Sequence, residues 1–509
     1  MLPKPRHDLP FNSLDYETLP LVKPTGFREY DARWLFFGPG KDGAVTSEIN
    51  LLGMRALGLG LGTFLHERGV RPDVVVGHDY RAYSAAIKNA LITGLMAAGC
   101  RVHDIGLALS PMAYFAQFHL DAPAVAMVTA SHNDNGWTGV KMGCEPPLTF
   151  GPDEMAALRD IVLDGRVEER EGGALIHHPQ LRKAYLDDLK KRAGRLSRPL
   201  KVVCACGNGT ASAFAPEVLK AMGADVVELD CELDWTFPHY NPNPEDMKML
   251  KAMSRKVLES GADIALGFDG DGDRCGVVDN EGHEIFADKI GVLLARDLAR
   301  RFKDAKFVAD VKSTGLFNTD PVLRELGAVT DYYKTGHSYI KRRTTELSAI
   351  AGFEKSGHFF FNPPVGLGYD DGIVSAIAIL HMLDHNPQMS MAALYRSLPQ
   401  TWGTPTMSPH CPDEEKYALI DKVIAHYRAR MEAGKTAGGQ KIASLITVNG
   451  VRIVLEDGTW GLARASSNKP ELVVVAESPT SEAAMRAIVA DIQQHLASYP
   501  QVGEYNQTI

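Results

Sequence analysis

Short apolar runs alternate with longer stretches of helical periodicity along the first 400 residues or so. The runs are rich in Val, Ile and Ala, and most of them end on a polar residue. Continuous apolar strands alternating with helices indicate mainly parallel sheets that are covered on both faces. The predicted strands are DVVVGHD (73–79), RVHDIG (101–106), AVAMVTA (124–130), LKVVCAC (200–206), VVELD (226–230), DIALGFD (263–269), KFVADV (306–311), AVTDYYKT (328–335) and AIAGFE (349–354).

Helices are predicted between these strands. The pattern favours a single helix for each of two stretches, ASAFAPEVLKAMGA (211–224) and LFNTDPVLRELG (316–327). Further predicted helices cover residues 82–98 and 114–118, begin near Glu245, and follow Gly336. The strand–helix alternation occurs three times, which predicts three similar α/β domains.

The chain after Thr401 has a different pattern. A Pro-rich passage is followed by a charged helix from Glu414 to about Glu432, and a last helix runs from about Ser481 to Leu496. Between them lie four closely spaced apolar runs, KIASLITV, VRIVLE, TWGLARA and ELVVVAE. Such spacing predicts a small α+β domain with an antiparallel sheet.

Length agrees with a multidomain reading, since 509 residues correspond to three or four domains at roughly 150 residues each. We predict an α/β fold of four domains: three similar domains with mostly parallel sheets and a C-terminal α+β domain. The predicted bounds are 1–177, 178–290, 291–401 and 402–509.

Composition narrows the class of partner. The chain has 54 Lys+Arg and 63 Asp+Glu, a net charge of −9, with 45% apolar and 23% charged residues. These fractions are those of a globular protein rather than a disordered one. An acidic balance argues against nucleic acid or an anionic membrane as partner. No signal peptide or membrane span is evident, so we expect a cytoplasmic protein that acts on a small molecule.

The seven cysteines fit a reducing compartment. Cys204 and Cys206 are expected to point to opposite faces of a strand, too close in sequence for a relaxed disulfide. No C-x-x-C pair occurs. The sequence therefore gives no support to a thiolate zinc site.

A candidate metal site lies in GFDGDGDRCG (267–276), where Asp269, Asp271 and Asp273 alternate with glycines after a predicted strand. Carboxylates that converge repel one another unless a cation lies among them, and hard oxygen ligands suit Mg²⁺ or Ca²⁺. A solvated acidic turn is the alternative. An EF-hand is excluded because Arg274 and Asn280 occupy the positions of its Gly and Glu. The Arg274 cation suits a phosphate ligand, which indicates a Mg²⁺ loop that handles phosphoryl groups.

A candidate nucleophile lies in MVTASHNDNGWTGVKMG (127–143). Ser131 and His132 follow a strand end, where ligands bind in open α/β sheets. Ser131 is otherwise only a turn hydroxyl. Here the chain resembles the α-D-phosphohexomutases, whose signature combines a T-A/G-S-H-N loop with a D-G-D-G-D-R loop. The resemblance extends over the four predicted domains.

The resemblance implies that Ser131 carries a phosphoryl group and joins the three aspartates around Mg²⁺. It places His132, Lys141 and Arg274 beside the phosphoserine as catalytic residues, and arranges the four domains around a central cleft. In the same way, FREYDARW (27–34) is similar to an N-terminal family motif, with Tyr30 and Arg33 as substrate ligands. VGHDYRAYS (76–84) matches another motif that we expect to be structural.

Two further loops carry the resemblance on the substrate side. GFEKSGHFFF (352–361) is similar to the sugar-binding loop G-E-x-S-G-H. Its Glu354 and Ser356 are expected to bracket the O3 and O4 hydroxyls, with His358 beside them. Glucose and mannose differ only at C2, which predicts dual specificity, although Lys355 replaces a usual Met. A solvated loop is the alternative.

ARASSNKP (463–470) is similar to the family's phosphate clamp, with Ser467 and Asn468 replacing Asn-Thr. A guanidinium and several neutral donors suit a phosphate. An exposed hairpin turn is the alternative. The residues expected to bind substrate here and in the third domain are Arg464, Ser466, Ser467, Asn468 and Lys312. His337 is the candidate general base.

The resulting hypothesis is a phosphohexomutase that interconverts the 1- and 6-phosphates of mannose and/or glucose. It implies a phosphoserine, a hexose 1,6-bisphosphate intermediate, Mg²⁺ as cofactor and glucose 1,6-bisphosphate as activator. The protein is expected to be a monomer or homodimer. A phosphoglucosamine mutase, a phosphatase using the same serine and a non-catalytic sugar-phosphate binding protein remain as alternatives.

Overall fold

The computed structural model describes residues 3–40, 43–467 and 469–507. The chain divides into two compact units, one formed by Met1–Ala287 with Ser356–Ala392 and the other by Asp288–Lys355 with Ala393–Ile509. None of the helices in the described ranges is both long and apolar enough to cross a bilayer.

The helices and strands are numbered separately in chain order. The α-helices are α1 Leu14–Thr18, α2 Leu51–Glu67, α3 Ser84–Ala97, α4 Ser110–His119, α5 Pro152–Asp164, α6 Leu181–Ala193, α7 Ala215–Ala221, α8 Met247–Ser260, α9 Ala287–Arg301, α10 Leu316–Thr319, α11 Pro321–Glu325, α12 His337–Glu346, α13 Gly372–Asp384, α14 Met391–Arg396, α15 Lys416–Glu432 and α16 Glu482–Leu496. Short 3₁₀ turns lie at Pro24–Gly26 and Thr210–Ala213.

The strands begin with those of the first unit. They are β1 Ala32–Leu35, β2 Gly38–Pro39, β3 Val45–Thr46, β4 Asp73–His78, β5 Arg101–Leu107, β6 Ala124–Val128, β7 Trp137–Gly143, β8 Ala174–His177, β9 Lys201–Ala205, β10 Asp225–Leu229, β11 Ile264–Phe268, β12 Cys275–Asp279 and β13 Glu284–Ile285. They continue with β14 Lys306–Asp310, β15 Val329–Tyr333, β16 Ala351–Phe353, β17 Phe359–Phe361, β18 Trp402–Gly403, β19 Thr436–Ala437, β20 Gln440–Ile446, β21 Val451–Leu455, β22 Trp460–Ala465 and β23 Leu472–Ser478.

The first sheet has the order β1-β7-β6-β4-β5-β8. Strands β4, β5, β6 and β8 are parallel, whereas β7 runs antiparallel to β6 and β1 antiparallel to β7. The loop that holds Ser131 connects β6 to β7. Because β7 returns directly along β6, with Met127 opposite Lys141, the chain brings Lys141 back toward this loop.

The second sheet has the order β10-β9-β11-β12-β13. Strands β9, β10 and β11 are parallel, and β12 pairs antiparallel with β11. The aspartate loop is the tight connection between β11 and β12, where Phe268 lies opposite Cys275. The three carboxylates thus occupy the end of a hairpin whose strands are buried.

The second unit contains two further sheets. Strands β15, β14 and β16 are parallel neighbours in that order. The C-terminal sheet has the order β18-β23-β22-β21-β20-β19, pairs antiparallel, and packs against α15 and α16. The predicted four-domain α/β class with a C-terminal antiparallel sheet is confirmed. The domain bounds and the central cleft stay predictions.

Both stretches predicted as single helices are interrupted in the structure. Residues 316–327 form α10 and α11, because Pro321 lacks an N–H and Asp320 before it is extended, with φ −61° and ψ 126°. Asp320 then caps α11 through Leu323 N. Residues 211–224 likewise break at Phe214 (φ −133°, ψ −55°), just before α7. Both predictions of a single helix are wrong: the apolar periodicity runs through each stretch, but Pro216 and Pro321 lie at the start of a new helix because proline cannot continue a preceding one.

Candidate active site

The aspartate loop brings three carboxylates together in the first unit. Asp269, Asp271 and Asp273 are each 0% exposed, and one oxygen from each lies within 4.8 Å of the others. Gly272 has φ +72°, a left-handed conformation that favours glycine, and it turns the backbone between the second and third carboxylates. The acidic loop is therefore a buried cluster and not a solvated turn.

Lys141 partly neutralises this cluster. Its Nζ lies 2.7 Å from Asp271 Oδ2 and also contacts Asp273 Oδ2. Ser110 Oγ donates to Asp271 Oδ2 at 2.6 Å. Burial opposes ionisation of Asp271, but the Lys141 ammonium and these hydrogen bonds outweigh it and lower the Asp271 pKa. Burial, followed by repulsion from the other two carboxylates, raises the pKa of Asp269 well above its usual value.

The cluster has the donor chemistry of a site for a hard cation. Asp271 Oδ1 and Asp273 Oδ1 are buried and accept no hydrogen bond within the described residues. Buried oxygens without a partner are costly unless a cation or water satisfies them. The acidic cluster is consistent with a bound metal ion.

Ser131 contacts the cluster directly. Its Oγ donates to Asp269 Oδ2 at 3.1 Å and lies 3.3 Å from Nδ1 of His132. The residue is 1% exposed and adopts φ +51°, which is uncommon outside glycine. Burial and the nearby Arg274 cation hold the pKa of His132 well below its usual value, so the imidazole is neutral.

The serine loop and the aspartate loop are in very close backbone contact. A Cβ added at Gly270 would lie 2.5 Å from the carbonyl oxygen of Ser131. A side chain at this position would push the loops apart. The glycine therefore permits the approach of Ser131 to the carboxylates.

Residues of the VGHDYRAYS motif (76–84) hold the backbone of the Ser131 loop in place through hydrogen bonds. Asp79 accepts hydrogen bonds from Thr129 Oγ1 at 2.8 Å and Ser84 Oγ at 2.6 Å, and pairs with Arg81. Thr129 Oγ1 in turn accepts from the N–H of Ser131 at 2.8 Å, and Arg81 donates to the Ser131 carbonyl at 2.9 Å. The motif fixes the serine backbone, in agreement with the structural role expected from the sequence.

Arg33 also lies against this loop. It donates to Asn133 Oδ1 at 2.8 Å and to the Ala130 carbonyl at 3.2 Å, and pairs with Asp31 at 2.8 Å. Tyr30 is 7% exposed just before it. The N-terminal motif thus places a guanidinium at the edge of the Ser131 loop.

Arg274 links the aspartate loop to the segment 356–392. Its Nε donates to His358 Nε2 at 2.9 Å, and His358 Nδ1 lies 2.9 Å from Asp370 Oδ2 and 3.6 Å from Asp273 Oδ1. The ring accepts from Arg274 at one nitrogen, so its other nitrogen carries the proton toward Asp370. Ser356 lies half-buried in the turn that begins this segment.

The second unit holds the remaining predicted residues of the third domain. Glu354 is buried at the end of β16 and accepts from the N–H of Gly336 at 2.6 Å. This bond ties Glu354 to the turn before α12, where His337 is buried as the first helical residue. Lys312 is half-buried after β14.

Arg464 lies at the end of β22 and is 5% exposed. Its Nη1 donates to Asn449 Oδ1 at 3.2 Å and to the Ala465 carbonyl at 2.8 Å, and its Nε has no hydrogen-bond partner within the described residues. Ser466 is buried and Ser467 half-buried after it, whereas Asn468 lies outside the described residues.

Three residues near these groups were not predicted from the sequence. Ser110 donates to Asp271, Asp370 pairs with His358, and Asn449 accepts from both Arg464 and the Thr335 N–H, the latter at 3.4 Å. Ser110 lies 161 positions from Asp271 and Asn449 lies 114 positions from Thr335, whereas Asp370 is only 12 positions from His358. The sequence indicates only that these residues lie beside a strand end or a turn, and this position alone is not enough to predict a role in the site.

Four family models match the chain in order. They describe phosphoglucomutase/phosphomannomutase alpha/beta/alpha domains I, II and III at residues 35–168, 183–282 and 286–402, and the C-terminal domain at 411–495. Together they cover most of the chain. It therefore belongs to the phosphoglucomutase/phosphomannomutase family, the α-D-phosphohexomutases, which confirms the resemblance and supports the predicted hexose-phosphate mutase activity.

Individual relatives agree with this assignment. The chain is 33% identical to a phosphomannomutase/phosphoglucomutase of Pseudomonas syringae pv. tomato, over 91% of this chain and 93% of that protein. It is 32% identical to a phosphoglucomutase of Neisseria gonorrhoeae, over 82% and 87%. A crystal structure of a phosphoglucomutase/phosphomannomutase family protein from Burkholderia thailandensis superposes with a TM-score of 0.83 at 30% identity, over 95% and 99% of the chains.

Proposed function

We propose that the chain interconverts hexose 1-phosphate and hexose 6-phosphate, with mannose and/or glucose as the sugar, by phosphoryl transfer to and from Ser131. The observation that carries the proposal is the 3.1 Å hydrogen bond from Ser131 Oγ to Asp269 within a buried carboxylate cluster. A binding protein has no need of a phosphorylatable serine at such a cluster. Family membership supports the same conclusion.

The three aspartates and the phosphorylated Ser131 would hold Mg²⁺. Hard carboxylate oxygens, two of them without a hydrogen bond, fit this ion. When bound, the ion would neutralise charge that develops on the transferring phosphoryl group.

Residues of the serine loop and its neighbours provide the rest of the local chemistry. Asp269 Oδ2 accepts a hydrogen bond from the Ser131 hydroxyl, so it orients Oγ for attack on a phosphorus of the hexose bisphosphate. The P–O bond to the sugar would break as the bond to Oγ forms, and the leaving sugar oxygen would take up the proton that Ser131 loses. Lys141 and Arg274 add positive charge beside the aspartates. Neutral His132 contributes a ring nitrogen without adding charge.

The other predicted residues would bind the sugar and its phosphate groups. Glu354 and Ser356 would bracket O3 and O4 of the sugar, with His358 and Lys312 beside them and His337 as general base for the accepting hydroxyl. Arg464, Ser466, Ser467 and Asn468 would bind the phosphate that is not reacting, with Tyr30 and Arg33 completing the set. If the bisphosphate intermediate leaves before it returns a phosphoryl group, Ser131 remains unphosphorylated and the enzyme is inactive. Glucose 1,6-bisphosphate would phosphorylate Ser131 again, which is why we propose it as the activator.

The remaining assignments complete the proposal. The protein works as a monomer or homodimer in the cytoplasm, and its acidic net charge of −9 argues against nucleic acid or a membrane surface as partner. Size-exclusion chromatography with light scattering measures the oligomeric state.

The test is a coupled assay with Mg²⁺ and a trace of glucose 1,6-bisphosphate on glucose 1-phosphate, mannose 1-phosphate and glucosamine 1-phosphate. We expect comparable rates on the first two. Ser131→Ala should lower kcat by on the order of 10⁴-fold or more, as for loss of other nucleophiles. The matched control is Ser260→Ala, whose hydroxyl bonds the Lys256 carbonyl at 2.7 Å near the end of α8. Its rate should equal that of wild type.

Other outcomes contradict parts of the proposal. A preference for the amino sugar keeps the phosphoserine and overturns the sugar assignment. Release of inorganic phosphate in place of isomerised sugar indicates a phosphatase. Full activity of Ser131→Ala overturns the mechanism, and tight binding of all three sugars without turnover indicates a binding protein.

A further inference from the structure

Three free cysteines meet in the second sheet of the first unit. Sγ of Cys204 lies 3.8 Å from Sγ of Cys206, and Sγ of Cys231 lies 3.4 Å from Sγ of Cys206. All three sulfurs lie within 4.8 Å of one another. Cys204 and Cys206 are buried, whereas Cys231 is half-buried and so remains accessible from solvent.

The topology explains this meeting. Strands β9 and β10 are parallel neighbours with Ala205 opposite Leu229, so residues just beyond both strands come to the same edge of the sheet. Asp230 has φ +51°, which turns the chain after β10. Cys231 Sγ thereby returns to within 3.1 Å of the Cys204 carbonyl oxygen.

Two expectations from the sequence are corrected here. Cys204 and Cys206 were expected to point apart, but residues two positions apart share one face of a strand, and their sulfurs are neighbours. The lack of a C-x-x-C pair predicts no thiolate metal site, and this prediction considers only cysteines that are close in sequence. The third sulfur comes instead from the end of the adjacent parallel strand, 25 residues further along the chain.

We propose that Cys204, Cys206 and Cys231 together bind one thiophilic metal ion, Zn²⁺ or Cu⁺. Zinc–sulfur bonds of about 2.3 Å in tetrahedral geometry place ligand sulfurs about 3.8 Å apart. The Cys204–Cys206 separation of 3.8 Å equals this value, and the Cys206–Cys231 separation of 3.4 Å is a few tenths of an ångström shorter. Sγ of Cys204 and Sγ of Cys231 lie within 4.8 Å of each other.

The ligand set determines which ions fit. Within the described residues, the three cysteines have no fourth ligand beside them, whether a carboxylate, an imidazole or another thiol. Soft thiolates select Cu⁺ and Zn²⁺ over Mg²⁺, which prefers oxygen. Three thiolates suffice for Cu⁺, and a water reaching the half-buried side completes a tetrahedron for Zn²⁺. Each thiol that becomes a ligand releases its proton to solvent.

The cluster is chemically distinct from the aspartate cluster, which offers only oxygen. The test therefore titrates the full-length reduced protein without oxygen and in excess Mg²⁺, which occupies the carboxylates. Zn²⁺ and Cu⁺ are delivered in separate titrations against chromophoric chelators. Cd²⁺ serves as the probe of sulfur ligation through its near-ultraviolet thiolate charge-transfer band. We expect one equivalent of metal and an intense band.

Cys231→Ser is the informative variant because this half-buried cysteine can be changed with least effect on the core. Loss of a direct ligand should weaken binding by more than the about 10–100-fold that loss of an outer partner costs. The matched control is Cys144→Ser, a half-buried cysteine outside the cluster. It should bind like wild type. Neither variant touches the residues proposed for phosphoryl transfer, so the outcome is independent of the mutase assay.

A second measurement needs no variant. Alkylation of Cys231, followed by peptide mapping, should slow at least about tenfold when one equivalent of Zn²⁺ or Cu⁺ is present, because a metal-bound thiolate is a poorer nucleophile. No metal uptake by wild type, or equal uptake by Cys231→Ser, overturns the proposal. Formation of a Cys206–Cys231 disulfide with hydrogen peroxide, in a protein that takes up no metal, also overturns it and makes the pair a redox site.

Discussion

Lys141 Nζ lies 2.7 Å from Asp271 Oδ2, with the two side chains 3% and 0% exposed. The same ammonium contacts Asp273. Burial opposes its charge, but Asp271 and Asp273 outweigh burial and raise the Lys141 pKa well above its usual value. One lysine on β7 thus offsets the repulsion within a carboxylate cluster carried by a different sheet.

Replacement of Lys141 by Met should make the stability of the protein depend more strongly on Mg²⁺ than that of wild type. Removing one partner of a buried ion pair costs about 3–5 kcal/mol because the other charge is left buried and unpaired. Mg²⁺ at the carboxylates offsets that loss. We expect the melting temperature of Lys141→Met to rise more on addition of Mg²⁺ than that of wild type, as measured by calorimetry.

Lys88→Met is the matched control, since Lys88 of α3 forms a buried pair with Asp104 of β5 at 2.6 Å. It should lose stability in a similar way yet show the wild-type response to Mg²⁺. Equal Mg²⁺ responses in all three proteins would mean that the ion does not bind beside Lys141.

Asp79→Asn should impair catalysis through the position of Ser131. The substitution keeps the shape of the side chain but removes the charge that orients Thr129 and Arg81, both of which contact the Ser131 backbone. We expect kcat to fall at least about tenfold with little change in KM, because a small misplacement of a reacting group is costly. Steady-state kinetics on glucose 1-phosphate measure this.

The stability of Asp79→Asn should fall by about 1.5–3 kcal/mol, the usual worth of hydrogen bonds to a buried charge. Asp104→Asn is the matched control, as a buried aspartate in the same sheet that pairs with Lys88. It should lose stability without the fall in kcat. If both variants keep wild-type kcat, Asp79 does not position the serine.

The local parts of this site could be predicted from the sequence. Ser131 and Asp269 each follow a buried apolar strand, and the ends of such strands carry ligands in α/β sheets. The glycines around Asp271 signalled a tight turn. Motifs within ten or so residues are recognisable because strand, turn and side chain are set by the same short segment.

Contacts between distant segments could not be predicted in this way. Ser110 reaches Asp271 across 161 positions, and Lys141 reaches it across 130. Such pairs depend on sheet order and on how two sheets pack, which a single sequence does not encode locally. The meeting of Cys231 with Cys206, which lie 25 positions apart just beyond neighbouring parallel strands, is also of this kind.

Gly270→Ala should move the serine loop away from the aspartate loop. The added Cβ would lie 2.5 Å from the Ser131 carbonyl oxygen, which is backbone and cannot rotate away. Overpacking of this kind costs about 1–3 kcal/mol, and we expect a fall in kcat of at least about tenfold as Ser131 moves from Asp269. Denaturant unfolding and kinetics measure the two effects.

Gly403→Ala is the control for the glycine change itself. Among the residues that the structure describes, its added Cβ would have one neighbour within 4 Å, the Ala476 carbonyl oxygen at 3.8 Å, which is an ordinary contact. Stability and kcat should stay near wild type. Wild-type kcat in Gly270→Ala would show that the close approach of the loops is unimportant for the reaction.

The ionised Glu477 carboxylate should stabilise the second unit near neutral pH, and this stabilisation should be lost in acid. Its carboxylate accepts from Lys289 at 2.5 Å and from Thr314 Oγ1 at 2.8 Å. Burial opposes its ionisation, but Lys289 and these hydrogen bonds lower its pKa from 4.5 to about 2. A lowered pKa stabilises the folded state fully above pH 4.5, and this stabilisation is lost as the pH falls from 4.5 toward about 2.

The size of this pH effect follows from the pKa shift, since each unit by which folding shifts a pKa corresponds to about 1.4 kcal/mol of stability. The difference in unfolding free energy between wild type and Glu477→Gln should be smaller at pH 3 than at pH 6 by about 2 kcal/mol. Urea unfolding of both proteins at the two values, followed by tryptophan fluorescence, measures it. Glu482→Gln changes an exposed carboxylate of the same unit that pairs with Arg486 at 2.7 Å. Its difference from wild type should vary by less than about 0.5 kcal/mol, and an equally flat difference for Glu477→Gln would contradict the buried pair.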